Sequence, residues 1–288
     1  MTAIRKMIRD TDGDSYEKLR SIDQNLTFAS AGDEFRKRQV DFGISQMKTL
    51  GLTSSDEVFT NLALILSEQN VHTTKVAIFQ NSSQQTFKDR KEFSGSLFKQ
   101  LNDVYNYLDL NNKTKATYDR LLRIDCRDYP EPALQEALLN AAVHREYSVG
   151  GSILIKVFSD RIEFISPGGL VSGIELEDIK SGYSVCRNSK LADVFYRLQL
   201  IEAYGTGILK IFETYHGFDL QPTISVTPNV FKITLPNLNH PQATMNPNEK
   251  VYYVNEPSNR HMKPGLEHIS HYRQSNYLSP EEKITQYV

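Results

Sequence analysis

The sequence lacks the features that mark several large classes of protein. It contains no tryptophan and only two cysteines, Cys126 and Cys186, which have no metal-ligand spacing. Two isolated thiols fit a reducing, cytoplasmic setting better than a disulfide-linked, secreted one. No apolar run approaches the ~20 residues that a membrane-spanning helix needs. The N-terminus also has no apolar segment of the signal-peptide kind, so neither a membrane protein nor a secreted protein is expected.

The chain also lacks a strong charge of either sign. Its 33 lysines and arginines stand against 35 aspartates and glutamates, which gives a formal net charge of −2. Domains that bind nucleic acid usually carry a basic surplus, so the composition does not support DNA binding by the chain as a whole. Hydrophobic residues make up 39% of the 288 residues. That share is enough for a sizeable core and excludes a compositionally disordered chain.

Residues 1–115 are expected to form a mainly helical α/β region. A helix is predicted from Asp33 to Leu50 by its start and stop signals, and apolar residues at helical spacing predict another over 95–109. The apolar run Val58–Ser67 fits a buried helix or a strand. Lys75–Phe79 alternates like a half-buried strand.

The composition shifts near residue 116, and residues 116–236 are predicted to form a second domain. A helix is expected from Pro132 to about His144, because proline suits the first turn of a helix. The other predicted elements are a strand hairpin (152–158 and 161–165), helices over 191–198 and 208–212, and a last strand pair (223–226 and 230–235). Residues 237–288 are polar and predict a linker or arm that ends in the first turn of a helix at Pro280–Ile284.

Three polar features of the second domain carry candidate chemistry. Glu136, Asn140 and His144 are four residues apart, so they line one face of the predicted helix. Gly168-Gly169 follows a strand, where glycine lets the backbone approach a ligand closely. Gly205–Gly207 precedes a helix, whose free N–H groups favour phosphate. Each feature also has an ordinary explanation: a solvated helix face, a turn and a helix start.

These features belong to four segments that occur in a fixed order. They are EALLNAAVHREY at 136–147, DRIEFISPGGL at 160–170, RNSKLA at 187–192 and IEAYGTGI at 201–208. Together they resemble the divergent GHKL-type ATP-binding domain of RecG-like or Schlafen-AlbA-type transcriptional regulators. The resemblance implies an α+β fold, a GHKL-like two-layer sandwich of a mixed β-sheet with helices on one face, preceded by a smaller α/β segment.

The resemblance also implies a role for each matching residue. Asn140 would ligate Mg²⁺ beside the phosphates of ATP, and one amide oxygen is sufficient because Mg²⁺ keeps several waters. Glu136 matches the general base that orients water in the hydrolysing members. Ser166 stands where GHKL proteins normally place the aspartate that accepts the adenine amino group. The other residues implied in nucleotide binding are His144, Arg145, Gly168, Gly169, Arg187, Asn188, Gly205, Thr206 and Gly207.

Two of these assignments have open alternatives. Arg145 is placed either to meet phosphate or to pair with Glu146 or Glu163. Arg187 and Asn188 fall in the segment that acts as a lid over the phosphates, where their charge and polarity suit the ligand. A solvated surface would have the same composition.

The function expected from the resemblance is a nucleotide-binding module that modulates DNA binding by a transcriptional regulator. In that family an AlbA-type DNA-binding domain usually precedes this region and a winged helix often follows it. The chain is therefore expected to be a central fragment that meets DNA through domains it lacks. Regulators of this kind are commonly symmetric dimers, so a homodimer is left open.

Two other functions remain open at this point. One is a degenerate GHKL fold that serves as a structural or dimerisation module without nucleotide. The other is an ATPase of DNA metabolism with Glu136 as its base, although no helicase motif supports it. A metal site in the C-terminal arm is not expected, because its histidines have no ligand spacing: His261, His268 and His271.

Overall fold

The computed structural model describes residues 15–183, 185–202 and 205–241. After a short 3-10 turn, Tyr16–Lys18, the helices are α1 (Ala29–Lys37), α2 (Ile44–Leu50), α3 (Asn61–Leu66), α4 (Leu97–Asn111), α5 (Glu131–Val143), α6 (Leu176–Lys180), α7 (Ser189–Arg197) and α8 (Gly207–Glu213). The strands are β1 (Thr74–Phe79), β2 (Phe87–Phe93), β3 (Thr114–Asp119), β4 (Leu122–Arg127), β5 (Ile153–Val157), β6 (Arg161–Pro167), β7 (Thr223–Thr227) and β8 (Val230–Pro236).

Six strands form one mixed sheet in the order β2-β1-β5-β6-β8-β7. Strands β1 and β5 run parallel, and the other neighbours are antiparallel. Strands β3 and β4 form a separate antiparallel hairpin. The predicted α+β class with a mixed sheet is confirmed. Because β1 pairs with β5, a single sheet spans the position near residue 116 where a domain boundary was predicted.

Successive side chains of a strand point to opposite faces of a sheet. On one face of this sheet those side chains are apolar. The register places Val76, Ile155, Phe164 and Ile233 side by side across four strands, and each is at most 2% exposed. Full burial of such a side chain contributes about 1.5–3 kcal/mol. Helices α4 and α5 pack against the sheet. The result is a two-layer sandwich with helices on one face.

The N-terminal segment is fastened to the second half of the chain by one buried carboxylate. Glu17 is fully buried and accepts hydrogen bonds at 2.8 Å from the backbone N–H groups of Lys190 and Leu191. These groups lie in the first turn of α7, where a negative charge is favourable. Burial raises the pKa of Glu17, and the two backbone hydrogen bonds act in the opposite direction.

The structure differs from the predicted secondary structure in the N-terminal half. The single helix expected over 33–50 is wrong, since α1 and α2 are separated by residues 38–43. Gln39 has a φ of 58° at this break, and the chain turns so that the Phe42 ring packs 4.5 Å from that of Phe35. Aromatic packing therefore outweighs the helical pattern. Strand β2 was not predicted because six of its seven residues are exposed and show no alternation.

The residues that follow β8 continue the packed body. The backbone N–H of Leu238 donates to the carbonyl oxygen of Asp128 at 2.8 Å. The side-chain amide of Asn239 donates to the carbonyl oxygen of Cys126 at 3.0 Å. The start of the predicted linker at 237 is thus held against β4. The predicted helix at Pro280–Ile284 and the tail histidines lie outside the described residues.

Candidate functional site

A cavity of about 480 Å³ lies beside α5. Small-molecule sites are typically about 300–1,000 Å³ in volume and mainly apolar, with a few polar groups that fix orientation. The apolar lining consists of Leu139, Val143, Leu170, Val171, Ile174, Ile179, Val185, Ala192, Ile201, Ile208 and Phe231. The polar and charged lining includes Glu136, Asn140, His144, Arg187, Asp193, Glu202 and Thr206. The cavity therefore has the size and the composition of a ligand site.

Helix α5 presents its predicted polar row to this cavity. Eight of its residues are buried in the core, whereas Glu136 and Asn140 are half-buried and line the opening. Within the described ranges no hydrogen bond joins the Asn140 carboxamide, and its polar atoms remain accessible. His144 follows the helix, and burial together with the Arg187 guanidinium lowers its pKa to about 4. Its imidazole is therefore neutral at neutral pH.

A lysine joins two carboxylates at the edge of the cavity. Lys210 Nζ lies 2.5 Å from Glu202 Oε1 and 3.7 Å from Glu136 Oε1. The Thr206 hydroxyl donates to Glu202 Oε2 at 2.9 Å. Burial raises the pKa of Glu136, and the Lys210 ammonium opposes this rise. Hydrogen bonds from Lys210 and Thr206 lower the pKa of Glu202.

Sequence reasoning missed the functional context of Lys210 and Glu202. Neither residue was among those predicted to bind nucleotide. A signal was present, because Glu202, Thr206 and Lys210 recur at intervals of four residues. Residues four apart lie on one face only if the segment is helical. The pattern alone does not establish a helix before α8.

The glycines of the predicted motifs have close neighbours or a left-handed backbone conformation. A Cβ atom on Gly207 would lie 2.6 Å from Glu136 Oε2, so the Glu136 carboxylate would have to move if residue 207 carried a side chain. A Cβ on Gly169 would lie 2.5 Å from the Thr227 carbonyl oxygen. Gly168 has a φ of 105° and Gly205 a φ of 67°. Of these four, Gly168 does not line the cavity.

Arg145 lies away from the cavity, so its predicted contact with phosphate is not part of this arrangement. It is 2% exposed and donates to the carbonyl oxygen of Gly151. A second contact, of 3.2 Å, joins it to Nδ1 of His72, and its guanidinium stacks 5.1 Å from the Tyr147 ring centroid. The alternative pairing with Glu146 or Glu163 is also not observed. The buried guanidinium instead joins the β1 side of the sheet to the chain after α5.

Ser166 and Asn188 also hold the frame and do not line the cavity. Each is 2% exposed. The Ser166 hydroxyl donates to the Ala141 carbonyl oxygen at 2.8 Å. The Asn188 amide donates to the carbonyl oxygens of Val143 and Arg145 at 2.7 and 2.8 Å. Both side chains therefore satisfy carbonyl groups at the C-terminal end of α5, which would otherwise lack partners.

Arg187 both lines the cavity and bonds to groups inside the fold. It lines the cavity, and its guanidinium also makes two bonds of 2.9 Å, to Glu146 Oε2 and to the Gly169 carbonyl oxygen. It thereby ties the segment before α7 to the turn after β6. A ligand that reached Arg187 would compete with these internal partners.

Other site types have less support in the described part of the chain. No group of three or more His, Cys, Asp and Glu side chains there could hold a metal ion. An Mg²⁺ ion needs few protein ligands because it keeps several waters, so the Asn140 and Glu136 oxygens at the cavity remain suitable for it. Both cysteines are free thiols. No helix within the described ranges is long and apolar enough to cross a membrane.

Comparison with known proteins agrees with part of the sequence resemblance. Residues 150–235 match the family model described as "Putative ATP-dependent DNA helicase recG C-terminal", which confirms the predicted RecG-like character of this segment. The crystal structure of the DIP2311 protein from Corynebacterium diphtheriae superposes with a TM-score of 0.68 at 20% sequence identity, over 81% of this chain and 49% of that chain. The chain thus spans about half the length of that protein, and the likeness is one of fold. No curated protein matches the chain.

Proposed function

We propose that the cavity beside α5 binds ATP with Mg²⁺ and that this binding regulates a DNA-linked transcriptional regulator. One observation carries the proposal: the polar row of α5 and the Gly205–Gly207 segment line the same cavity of about 480 Å³. The similarity of residues 150–235 to the RecG C-terminal family supports an ATP-linked role. The role proposed for each lining residue is the one implied by the resemblance to GHKL-type domains.

The lining suits a nucleotide in two ways. Leu170, Val171 and Ile174 offer apolar surface to a planar base. The accessible Asn140 carboxamide would hold Mg²⁺ beside the phosphates, and the ion would neutralise charge on the triphosphate. Glu136 would orient water if the nucleotide is hydrolysed, because its carboxylate lines the same cavity. Ser166 is not assigned to adenine, since its hydroxyl bonds to α5.

Recognition of DNA is proposed to belong to other domains of the regulator. The net charge of −2 gives no basic surplus of the kind that phosphate contacts require. Nucleotide binding to the cavity would then change the DNA affinity of those other domains.

Calorimetric titration with Mg-ATP tests the nucleotide proposal. Wild type is expected to bind, and Asn140→Ala is expected to weaken binding by about 10-fold or more, because loss of a metal ligand impairs metal-dependent affinity. Gln135→Ala is the matched control, since it changes an exposed residue of the same helix and is expected to bind like wild type. Equal binding by all three proteins, or binding by none, would reject the role of Asn140.

A second candidate function has its own supporting observation. Lys210 is already paired with Glu202 and lies near Glu136, and Arg187 is already bonded to Glu146. A degenerate module that serves only structure or dimerisation would have its charges paired in this way. Such a module should show no rise in melting temperature with Mg-ATP, whereas a ligand that binds only the folded state raises it. ATPase activity is tested by phosphate release, which must disappear in Glu136→Ala to be attributed to this site.

A further inference from the structure

The β3–β4 hairpin stands apart from the six-stranded sheet. All six residues of β3 are exposed, and Tyr118 and Leu121 are 70% and 100% exposed. The inner strand β4 is anchored, because Cys126 is buried and its carbonyl oxygen accepts a hydrogen bond from Asn239. A two-stranded hairpin alone is only marginally stable in water. This hairpin therefore has one supported strand and one unsupported strand.

The outer edge of β3 is open. Six consecutive pairs join β3 to β4 in regular register, and among the residues that the structure describes no strand pairs with the opposite edge of β3. A regular edge of this kind presents unpaired N–H and C=O groups, which makes it a template for another strand. The side chains of β3 determine which strand can pair with this edge.

The sequence of β3 is complementary to itself in charge. Two copies that pair antiparallel about a two-fold axis through Thr117 place Lys115 of each copy opposite Asp119 of the other. The smaller Ala116 then faces Tyr118. Cross-strand pairs of opposite charge stabilise antiparallel sheets, as do pairs that involve an aromatic ring. A two-fold axis at any other residue of β3 would not place these two charges opposite each other.

We propose that β3 pairs with β3 of a second copy of this chain about a two-fold axis at Thr117, which produces a four-stranded sheet and a homodimer. The interface is isologous, as in most two-fold dimers. The proposal does not depend on nucleotide binding, because no residue of β3 lines the cavity.

A cysteine placed at the axis tests the geometry. Opposite residues of an antiparallel pair have Cα atoms about 4.5–5.5 Å apart, which lies within the range of about 4.4–6.8 Å that a disulfide spans. Oxidised Thr117→Cys is expected to form a covalent dimer. Asp119→Cys, at another exposed position of the same strand, is expected to form no covalent dimer under the same conditions, and neither is the wild type with its own two cysteines. Failure of Thr117→Cys to cross-link, or cross-linking of Asp119→Cys at the same rate, would overturn the register.

Charge exchange tests the complementarity in sedimentation experiments. Lys115→Glu and Asp119→Lys each create two like-charge pairs across the axis, and each is expected to raise the dimer dissociation constant by about 10-fold or more. An equimolar mixture of the two variants restores opposite charges at both pairs and should form a heterodimer. The double variant should dimerise like wild type. Monomeric wild type, unaffected single variants or a mixture that stays monomeric would each overturn the proposal.

Discussion

The residues predicted to bind nucleotide separate into two groups in the structure. Glu136, Asn140 and His144 line the cavity. Arg145, Ser166 and Asn188 face inward, each 2% exposed, and bond to backbone carbonyl groups. The second group surrounds the C-terminal end of α5, the helix that carries the first group.

The difference shows that a motif can be specific without all of its polar residues touching a ligand. A polar side chain in a motif can serve the ligand directly, or it can fix the helix that presents other residues to the ligand. The two roles make opposite demands on stability. Loss of a frame residue leaves buried groups without partners and destabilises the fold, whereas loss of a lining residue costs little stability and changes binding.

The largest effect is expected from Arg145→Met. The substitution removes the guanidinium bonds to His72 Nδ1 and to the Gly151 carbonyl oxygen, and a hydrogen bond to a charged group contributes about 1.5–3 kcal/mol. The free energy of unfolding, measured by urea denaturation, should fall by about 3 kcal/mol or more. Arg36→Met is the control, because Arg36 is exposed and paired only with exposed Asp33, and it should change stability by less than about 0.5 kcal/mol. Equal losses in the two variants would remove Arg145 from the frame group.

Two asparagines give a direct contrast between the groups. Asn188→Ala removes two hydrogen bonds to buried carbonyl groups and should lower the free energy of unfolding by about 2 kcal/mol. Asn140→Ala should lower it by less than about 0.5 kcal/mol while weakening Mg-ATP binding. Both quantities are measured on both variants, stability by denaturant titration and binding by calorimetry. The division between frame and lining fails if the two variants show the same pattern.

Gly169 belongs to both groups, since it lines the cavity and packs against the β7–β8 turn. In Gly169→Ala the new methyl group would meet the carbonyl oxygens of Thr227 and Pro228 at 2.5 and 2.8 Å. Such overpacking should destabilise the fold by about 1–3 kcal/mol, measured as a lower melting temperature. Gly150→Ala is the matched control, because nothing lies within 4 Å of its added Cβ. A loss of Mg-ATP binding without a change in melting temperature would assign Gly169 to the lining instead.

The last effect appears only below about pH 6.5, where acid titrates two histidines, one from each group. The pKa values of His72 in the frame and His144 at the cavity are both lowered from 6.5 to about 4, mainly by burial. Since the folded pKa is depressed, each ring contributes stability that is present above pH 6.5 and is lost as the pH falls from about 6.5 toward about 4. His72→Gln and His144→Gln should each flatten this part of the stability curve.

Nucleotide distinguishes the two histidines further. Saturating Mg-ATP should change the NMR titration of His144 and leave that of His72 unchanged, because only His144 lines the cavity. A response at His72 alone would place the ligand elsewhere.

The sequence was most informative where a regular pattern coincided with burial. The alternation in β5 and β8 and the proline-started helix α5 were predictable because each buries one continuous apolar set. Strand β2 and the β3–β4 hairpin were not predictable, because their residues are mostly exposed and charged. Their strand conformation is set by their neighbours rather than by their own side chains.

The candidate site was predictable to a similar extent. Spacing alone placed Glu136, Asn140 and His144 on one helix face. The inward direction of Ser166 and Asn188 was not predictable, because a short polar residue after a strand or before a helix has the same local pattern whether it faces a ligand or a carbonyl group. That choice is decided by tertiary contacts with α5.

The parallel pairing of β1 with β5 has a consequence for the order in which the protein folds. Residues 74–78 pair with residues 153–157, so β1 is synthesised well before its pairing partner β5. Pairing between segments distant in sequence is slow, because the intervening chain must first be ordered. Until then β1 and β2 form only an incomplete sheet whose apolar face and open edge invite aggregation. A fragment that starts at residue 116 would expose the same edge of β5 permanently, so the useful length for producing this protein includes both strands.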